Sequence, residues 1–157
     1  ADIAARDEEG DLPLHLAAYN GHEGTVRLLL DNNANIAATN KDGGSPLHFA
    51  ACNGHEGVMR LLLDNNADIN ATKMDGFSPL HSAAMYAPEG AVRLLLDNNA
   101  DIKATNKSGD SPLHLAAWNG HEGAVRLLLE NNADIAARSI GGFSPLLCAA
   151  MNGVQWS

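Results

Sequence analysis

Seven histidines are the side chains of this sequence best suited to bind a metal ion or to act as a general base. They fall into two sets, the first being His15, His48, His81 and His114 and the second His22, His55 and His121. Ligands of one ion must all lie within about 2 Å of it. The members of each set are separated by 33 residues or a multiple of 33, which places each in a different copy of a repeated unit, and equivalent positions of stacked copies cannot converge on one point. We therefore predict structural roles for the histidines and no metal site.

Serine hydroxyls are the candidate nucleophiles. Those of interest, Ser45, Ser78, Ser111 and Ser144, each stand directly before a proline. A serine followed by proline is typical of a helix N-cap, so these hydroxyls are expected to have a structural task, with no base placed to activate them. No glycine-rich loop is followed by Lys-Ser or Lys-Thr, and carboxylates such as Asp31 and Glu130 are expected to form a solvated edge. The sequence indicates no enzyme and no cofactor.

The two cysteines, Cys52 and Cys148, lie about three repeats apart. With helices stacked at roughly 8–10 Å, their separation would be roughly 25–30 Å, which is too large for a disulfide. Free thiols favour a reducing compartment. We expect the chain to be cytoplasmic or nuclear.

All these residues belong to a repeat of 33 residues, marked by prolines at 13, 46, 79, 112 and 145. Each copy predicts two short helices, the first starting at the proline and the second carrying Val-x-x-Leu-Leu-Leu on one face. Glycines such as Gly21 and asparagines such as Asn33 are suited to end them, because both tolerate the left-handed conformation. Helices of about two turns are marginal alone, so stability is expected from stacking of neighbouring repeats.

The repeated motifs resemble those of the ankyrin repeat. In the second copy they read Ser45-Pro46-Leu47-His48, Ala50-Ala51, Gly54-His55, Val58 to Leu63 and Asn66 to Ala71. The resemblance implies an all-α solenoid of antiparallel helix pairs, with hairpin-like loops projecting at right angles and a slightly curved stack. It also implies that the first histidine set bonds to the adjacent serine and neighbouring backbone; we expect the second set to tether local backbone. Proteins of this kind typically bind other proteins through the loop tips and inner helices, and catalysis is not typical of them.

We interpret residues 1–157 as one ankyrin-repeat domain. It divides into a partial leading loop at 1–10, repeats at 11–43, 44–76, 77–109 and 110–142, and a partial terminal repeat at 143–157. The chain begins in the middle of a repeat, since residues 1–5 match residues 133–137, and we expect it to be a fragment of a longer array. Val154 and Trp156 are candidates to cover the open face of the last repeat.

Charge limits the class of partner. The chain carries a formal net charge of −9, which disfavours nucleic acid and mildly favours basic partners. No apolar run approaches the length needed to span a bilayer, so no membrane insertion is expected. We predict a monomer that binds a protein partner.

Two copies depart from the pattern. Leu12 stands where other copies have the capping serine, a loss worth about 1 kcal/mol. In the third copy Tyr86-Ala87-Pro88 replaces Asn-Gly-His, so either Ala87 is strained in a left-handed turn or the turn is remodelled, with Pro88 in the first turn of the following helix. This change is interpreted either as neutral drift or as a loop reshaped for a partner.

A partner-binding surface is predicted where the copies differ from one another while their core positions stay constant. The predicted residues are Tyr19, Met74, Phe77, Met85, Tyr86, Asp110, Trp118, Ile140 and Phe143. Burial against a neighbouring helix is the alternative for Tyr19, Met85 and Trp118, and it is favoured for Leu16 and Phe49. Exposed aromatic and methionine side chains along a groove are typical of protein-binding surfaces.

Three functions are compatible with this sequence. We favour a protein-interaction module that binds through the concave inner-helix face and the loop tips, without catalysis. The alternatives are a targeting array cut from a larger enzyme or effector protein, and an engineered, consensus-like scaffold. Asn70 stands at a loop position where some ankyrin repeats are hydroxylated, although a loop-bracing side chain is sufficient to explain it.

Overall fold

The computed structural model describes residues 2–86 and 88–153, and these residues form nine α-helices and no strand. The helices are α1 Pro13–Tyr19, α2 Glu23–Asp31, α3 Pro46–Cys52, α4 Glu56–Asp64, α5 Pro79–Tyr86, α6 Glu89–Asp97, α7 Pro112–Trp118, α8 Glu122–Glu130 and α9 Pro145–Met151. No helix among them is both long and apolar enough to cross a membrane. The predicted solenoid of helix pairs is confirmed.

The helices form two layers. Odd-numbered helices pack against one another in an inner layer, and even-numbered helices α2 to α8 do the same in an outer layer. Each of the first four inner helices also packs against the outer helix that follows it. Because each helix has only seven to nine residues, its stability depends on these neighbours more than on its own hydrogen bonds.

Helices of both layers end in the turns predicted from the sequence, as α1 and α2 illustrate. At the end of α1 the amide of His22 donates to the carbonyl of Ala17 at 3.0 Å, and Gly21 has φ of 72°. At the end of α2 the amide of Ala34 bonds to Leu29 at 3.0 Å, and Asn33 takes the left-handed position with φ of 64°. Both helices therefore end at a residue in the left-handed conformation, which lets the amides that follow donate hydrogen bonds to the last carbonyls of the helix.

The hairpin-like loops between repeats are joined into one row. Within one loop, residues 39–44, the amide of Asn40 bonds to the Gly44 carbonyl at 3.0 Å. Neighbouring loops are linked by single backbone bonds, of which Lys41 to Glu9 is the first at 3.1 Å. The others join Met74 to Asp42, Lys107 to Asp75 and Ile140 to Ser108. The loops are therefore held at a spacing set by the repeat.

The core is built from Leu, Val and Ala at equivalent positions of successive repeats. Leu113 in α7 is 1% exposed, whereas its counterpart Leu146 in α9 is 52% exposed. Both leucines follow Ser-Pro at the start of an inner helix, but the described residues contain no outer helix after α9. Burial in this fold is therefore decided by the neighbouring element rather than by the residue.

The third repeat differs where its sequence differs. Helix α5 extends to Tyr86, one residue beyond the other inner helices, and Pro88 lies at the N-cap of α6 with φ of −74° and ψ of 101°. The proline thus stands just before the first turn of the helix, not inside it as predicted. Ala87 lies outside the described residues, as do Val154 and Trp156, so the predictions made for them stay predictions.

Replacing Gly54 by Ala is expected to destabilise the fold by about 1–2 kcal/mol. Gly54 has φ of 71°, and an added Cβ would stand 2.5 Å from Cβ of Pro88, so left-handed strain and a close contact add together. Urea denaturation followed by circular dichroism measures the change. Gly24 is the control, because an added Cβ there meets no atom within 4 Å. Gly24→Ala should stabilise by about 0.5 kcal/mol through helix propensity, and equal effects of both substitutions would contradict this account.

Candidate functional site

Each histidine of the first set links its repeat to the next by a hydrogen bond. His48 Nδ1 lies 2.8 Å from Ser45 Oγ and accepts the Ser45 amide at 3.2 Å. A backbone amide can only donate, so Nδ1 is the acceptor, and Nε2 carries the proton that bonds to the Phe77 carbonyl at 2.9 Å. Equivalent Nε2 bonds join His15 to Gly44, His81 to Asp110 and His114 to Phe143. The roles implied by the resemblance are thus seen for His48, His81 and His114, whereas Nδ1 of His15 accepts only the amide of Leu12 on that side.

Burial favours the neutral form of three of these imidazoles, those of His15, His48 and His81. It lowers the pKa of His48 to about 4, an effect that the bond to the Phe77 carbonyl only partly offsets. Burial likewise lowers the pKa values of His15 and His81. A proton added at Nδ1 would face the serine amide, which can only donate, so the neutral tautomer suits the site.

A base does lie beside three of the serines, for which the sequence predicted no base placed to activate them. In three repeats an imidazole nitrogen lies 2.8 Å from the serine oxygen, because a side chain at the third helical position folds back over the N-cap. The pair is nevertheless closed to a substrate: Ser78 is 3% exposed and His81 is 0% exposed. Both ring nitrogens of His81 are already bonded, which leaves none to relay a proton.

The second histidine set reaches further than predicted. His55 Nε2 bonds to the Tyr19 carbonyl at 2.9 Å and His121 Nε2 to the Met85 carbonyl at 2.9 Å. Each bond ties an outer helix to the inner helix of the preceding repeat, rather than to local backbone. Pro88 occupies this position in the third repeat and has no side-chain donor.

Asn70 braces a neighbouring loop. Its side-chain oxygen accepts the amide of Asp101 in the next repeat at 2.9 Å. This bond agrees with the interpretation of Asn70 as a structural side chain. Within the described residues, no group of three or more His, Cys, Asp or Glu side chains could hold a metal ion.

A groove of about 620 Å³ opens on the inner layer near the end of the array, and we call it the C-terminal groove. Helices α5, α7 and α9 form its floor, and loops 105–110 and 138–143 form its wall. It brings together five of the residues predicted for partner binding: Met85, Asp110, Trp118, Ile140 and Phe143. Trp118 is 43% exposed, Ile140 79% and Phe143 39%. Large apolar side chains therefore face solvent around one concavity.

A smaller groove of about 310 Å³, the N-terminal groove, lies nearer the start of the array. It contains the predicted residues Tyr19 and Tyr86, together with the polar side chains of Asn40 and Lys73. The Tyr19 ring meets the half-buried Phe49 edge to face at 6.1 Å. The predicted surface is therefore divided into one mainly apolar and one mixed groove.

Other predicted residues lie outside both grooves. Met74 is exposed at a loop tip, and the half-buried Phe77 ring stands 5.6 Å from that of His81. Leu16, favoured for burial, is 44% exposed, because the described residues hold no repeat before the first one to cover it.

Sequence reasoning missed several lining residues of the C-terminal groove. Leu115 and Cys148 contribute to its floor, and Lys107 and Ser108 to its wall. Leu115 and Cys148 occupy the same position of the repeat as Leu16 and Phe49, and this position varies between copies, but burial is the favoured prediction for Leu16 and Phe49. Both cysteines of the chain are free thiols, and burial, followed by the Asp110 carboxylate, raises the pKa of the Cys148 thiol.

Comparison with known proteins identifies the repeats. The family model for ankyrin repeats, which contains three copies, matches residues 1–73 and again residues 71–139. The two matches together cover most of the chain. No curated protein matches the chain in a direct sequence comparison.

Proposed function

Because this chain belongs to the ankyrin-repeat family, whose repeats generally mediate protein–protein interactions, we propose that it is an interaction module that binds through its concave inner face. The C-terminal groove is the central contact region of this proposal. Tyr19 and Tyr86 in the N-terminal groove, with Met74 and Phe77 on the loops, supply further contacts.

The observation that carries the proposal is the exposure of Trp118, Ile140 and Phe143 around one groove. Exposed apolar groups gathered in a concavity gain free energy when a partner removes them from water. Tryptophan is among the residues most enriched at interface hot spots. Asp110 and Lys107 at the same groove add polar groups that can orient a partner.

The groove is held in shape before a partner arrives. Loops 105–110 and 138–143 are joined by the bond from Ile140 to the Ser108 carbonyl at 2.9 Å. His114 ties helix α7 to the Phe143 carbonyl at 2.9 Å. A wall and floor that are already ordered reduce the entropy cost of association.

The proposed function is non-catalytic, in keeping with a family that is typically so. The best candidate for a catalytic pair is a buried serine next to a histidine, and both groups are engaged in helix capping and stacking. We also infer a monomer in a reducing compartment such as the cytoplasm or nucleus, which the free thiols of Cys52 and Cys148 favour.

Affinity capture from cell lysate tests the proposal. The chain is compared with a Met85→Arg, Trp118→Arg double variant of matched thermal stability. Two guanidinium groups in the groove would be desolvated without partners, so proteins retained by the parent should be lost by the variant, a decrease of at least about tenfold.

Leu28→Arg is the matched control, since Leu28 is an exposed apolar residue of the outer layer. Its captured proteins should equal those of the parent. Equal capture by all three chains would move the binding site away from the concave face.

A further inference from the structure

We propose that the partner segment is an extended polypeptide with Lys or Arg at one end and a bulky apolar anchor at the other. Its anchor enters the C-terminal groove, and its basic end lies against the first loop, residues 6–11. This inference rests on the proposed function and specifies the chemistry of the partner for the same concave face.

Charge is distributed unevenly along the row of loops. The first loop carries four carboxylates, Asp7, Glu8, Glu9 and Asp11, and one cation, Arg6. Loops 39–44, 72–77 and 105–110 each carry one lysine and one aspartate. In loop 138–143 the only charge is Arg138, beside the apolar Ile140 and Phe143. The row therefore changes from acidic to apolar along its length.

The cation of the first loop leaves its carboxylates unpaired. Arg6 donates to the carbonyls of Gly10 at 2.7 Å and Thr39 at 2.9 Å. Among the residues that the structure describes, ion pairs are found only on outer helices, at Arg60–Glu56 and Arg126–Glu122.

The carboxylates divide into structural and available groups. Asp7 accepts the amides of Glu9 and Asp11 within the turn, and Asp11 accepts the side-chain amide of Asn40 at 2.9 Å. The side chains of Glu8 and Glu9 are exposed, and neither accepts a hydrogen bond from any residue that the structure describes. These two glutamates are the groups that a cationic partner would meet.

The separation of the two ends sets the length of the partner segment. Three to four repeat steps of roughly 8–10 Å separate the first loop from the groove, about 30 Å in all. An extended chain advances about 3.3 Å per residue, so about nine residues bridge the gap. The Debye length is about 8 Å at physiological ionic strength, so the acidic loop acts only on groups near it. A partner segment that contacts both the acidic loop and the groove must therefore carry its basic residues at one end and its apolar anchor at the other.

Selection from a phage library displaying peptides of about 12 random residues, a length that covers this span, tests the inference on the full chain. Enriched peptides should carry Lys or Arg at one end and Trp, Phe, Leu, Ile or Met about nine residues away. Anisotropy of a labelled enriched peptide then measures binding. Glu8→Gln with Glu9→Gln should weaken it by roughly three- to tenfold and reduce its salt dependence, whereas Trp118→Ala should weaken it at every salt concentration.

Asp64→Asn with Asp97→Asn is the charge-matched control, because these exposed carboxylates lie at the ends of outer helices; it should leave binding unchanged. Enriched peptides without basic residues, or binding indifferent to the Glu8 and Glu9 changes, would overturn this inference and leave the groove proposal standing. No enrichment, or binding indifferent to Trp118→Ala, would overturn both.

Discussion

Acidification from pH 6.5 to pH 5 should destabilise this protein by at least about 2 kcal/mol, through its buried histidines. Burial lowers the pKa of His48 in the folded chain to about 4, against the ordinary value of 6.5. The unfolded chain therefore binds a proton in this range while the folded chain does not. The stability that the neutral ring provides is fully present above pH 6.5 and is lost as the pH falls toward 4, by about 3 kcal/mol in total for His48.

His15 and His81 add to this loss, since burial lowers the pKa of each. Around His48 the charged groups are Lys73, which lowers the pKa of the imidazole, and Asp75, which raises it. Urea denaturation at several pH values measures the slope. His48→Gln should flatten that slope. Stability that is constant between pH 7 and pH 5 would refute this account.

His81→Leu should destabilise the fold by about 3–4 kcal/mol. The substitution keeps the volume of the side chain but removes its bonds to the Ser78 amide, the Ser78 hydroxyl and the Asp110 carbonyl. Each buried polar group left without a partner costs about 1–3 kcal/mol. The position lies in the middle of the array, and the lost bond to the Asp110 carbonyl is one of the contacts between the third and fourth repeats.

The free energy of unfolding, from urea denaturation at pH 7, measures this change. His22→Leu is the control, because His22 is exposed at the start of α2, and it should cost less than about 0.5 kcal/mol. The chain already contains leucine at the equivalent of His81 in α9, where Leu147 is exposed. A cost below about 1 kcal/mol for His81→Leu would show that packing, rather than the hydrogen bonds, holds the repeats together at this point.

Short-range features of the fold could be predicted from the sequence because they are local. Proline at the first helical position, glycine or asparagine at the helix end, and the Val-x-x-Leu face depend on residues a few positions apart, and the structure has Gly21 and Asn33 in the expected left-handed conformation. The repetition of these signals also predicted the stack, since each short helix needs neighbours to be stable. The repeat positions whose residues differ between copies predicted several of the residues that line the grooves.

Only the tertiary structure decided which of these residues are exposed and which share a site. Leu28 is 63% exposed and its counterpart Leu94 is 5% exposed, although both occur in Val-Arg-Leu-Leu-Leu, because a preceding outer helix covers only the second. Trp118 and Ile140 meet at one groove because stacking brings a helix of one repeat beside the loop of the next. Local sequence determines the shape of each repeat; burial, proton affinity and the grooves arise from the contacts between repeats.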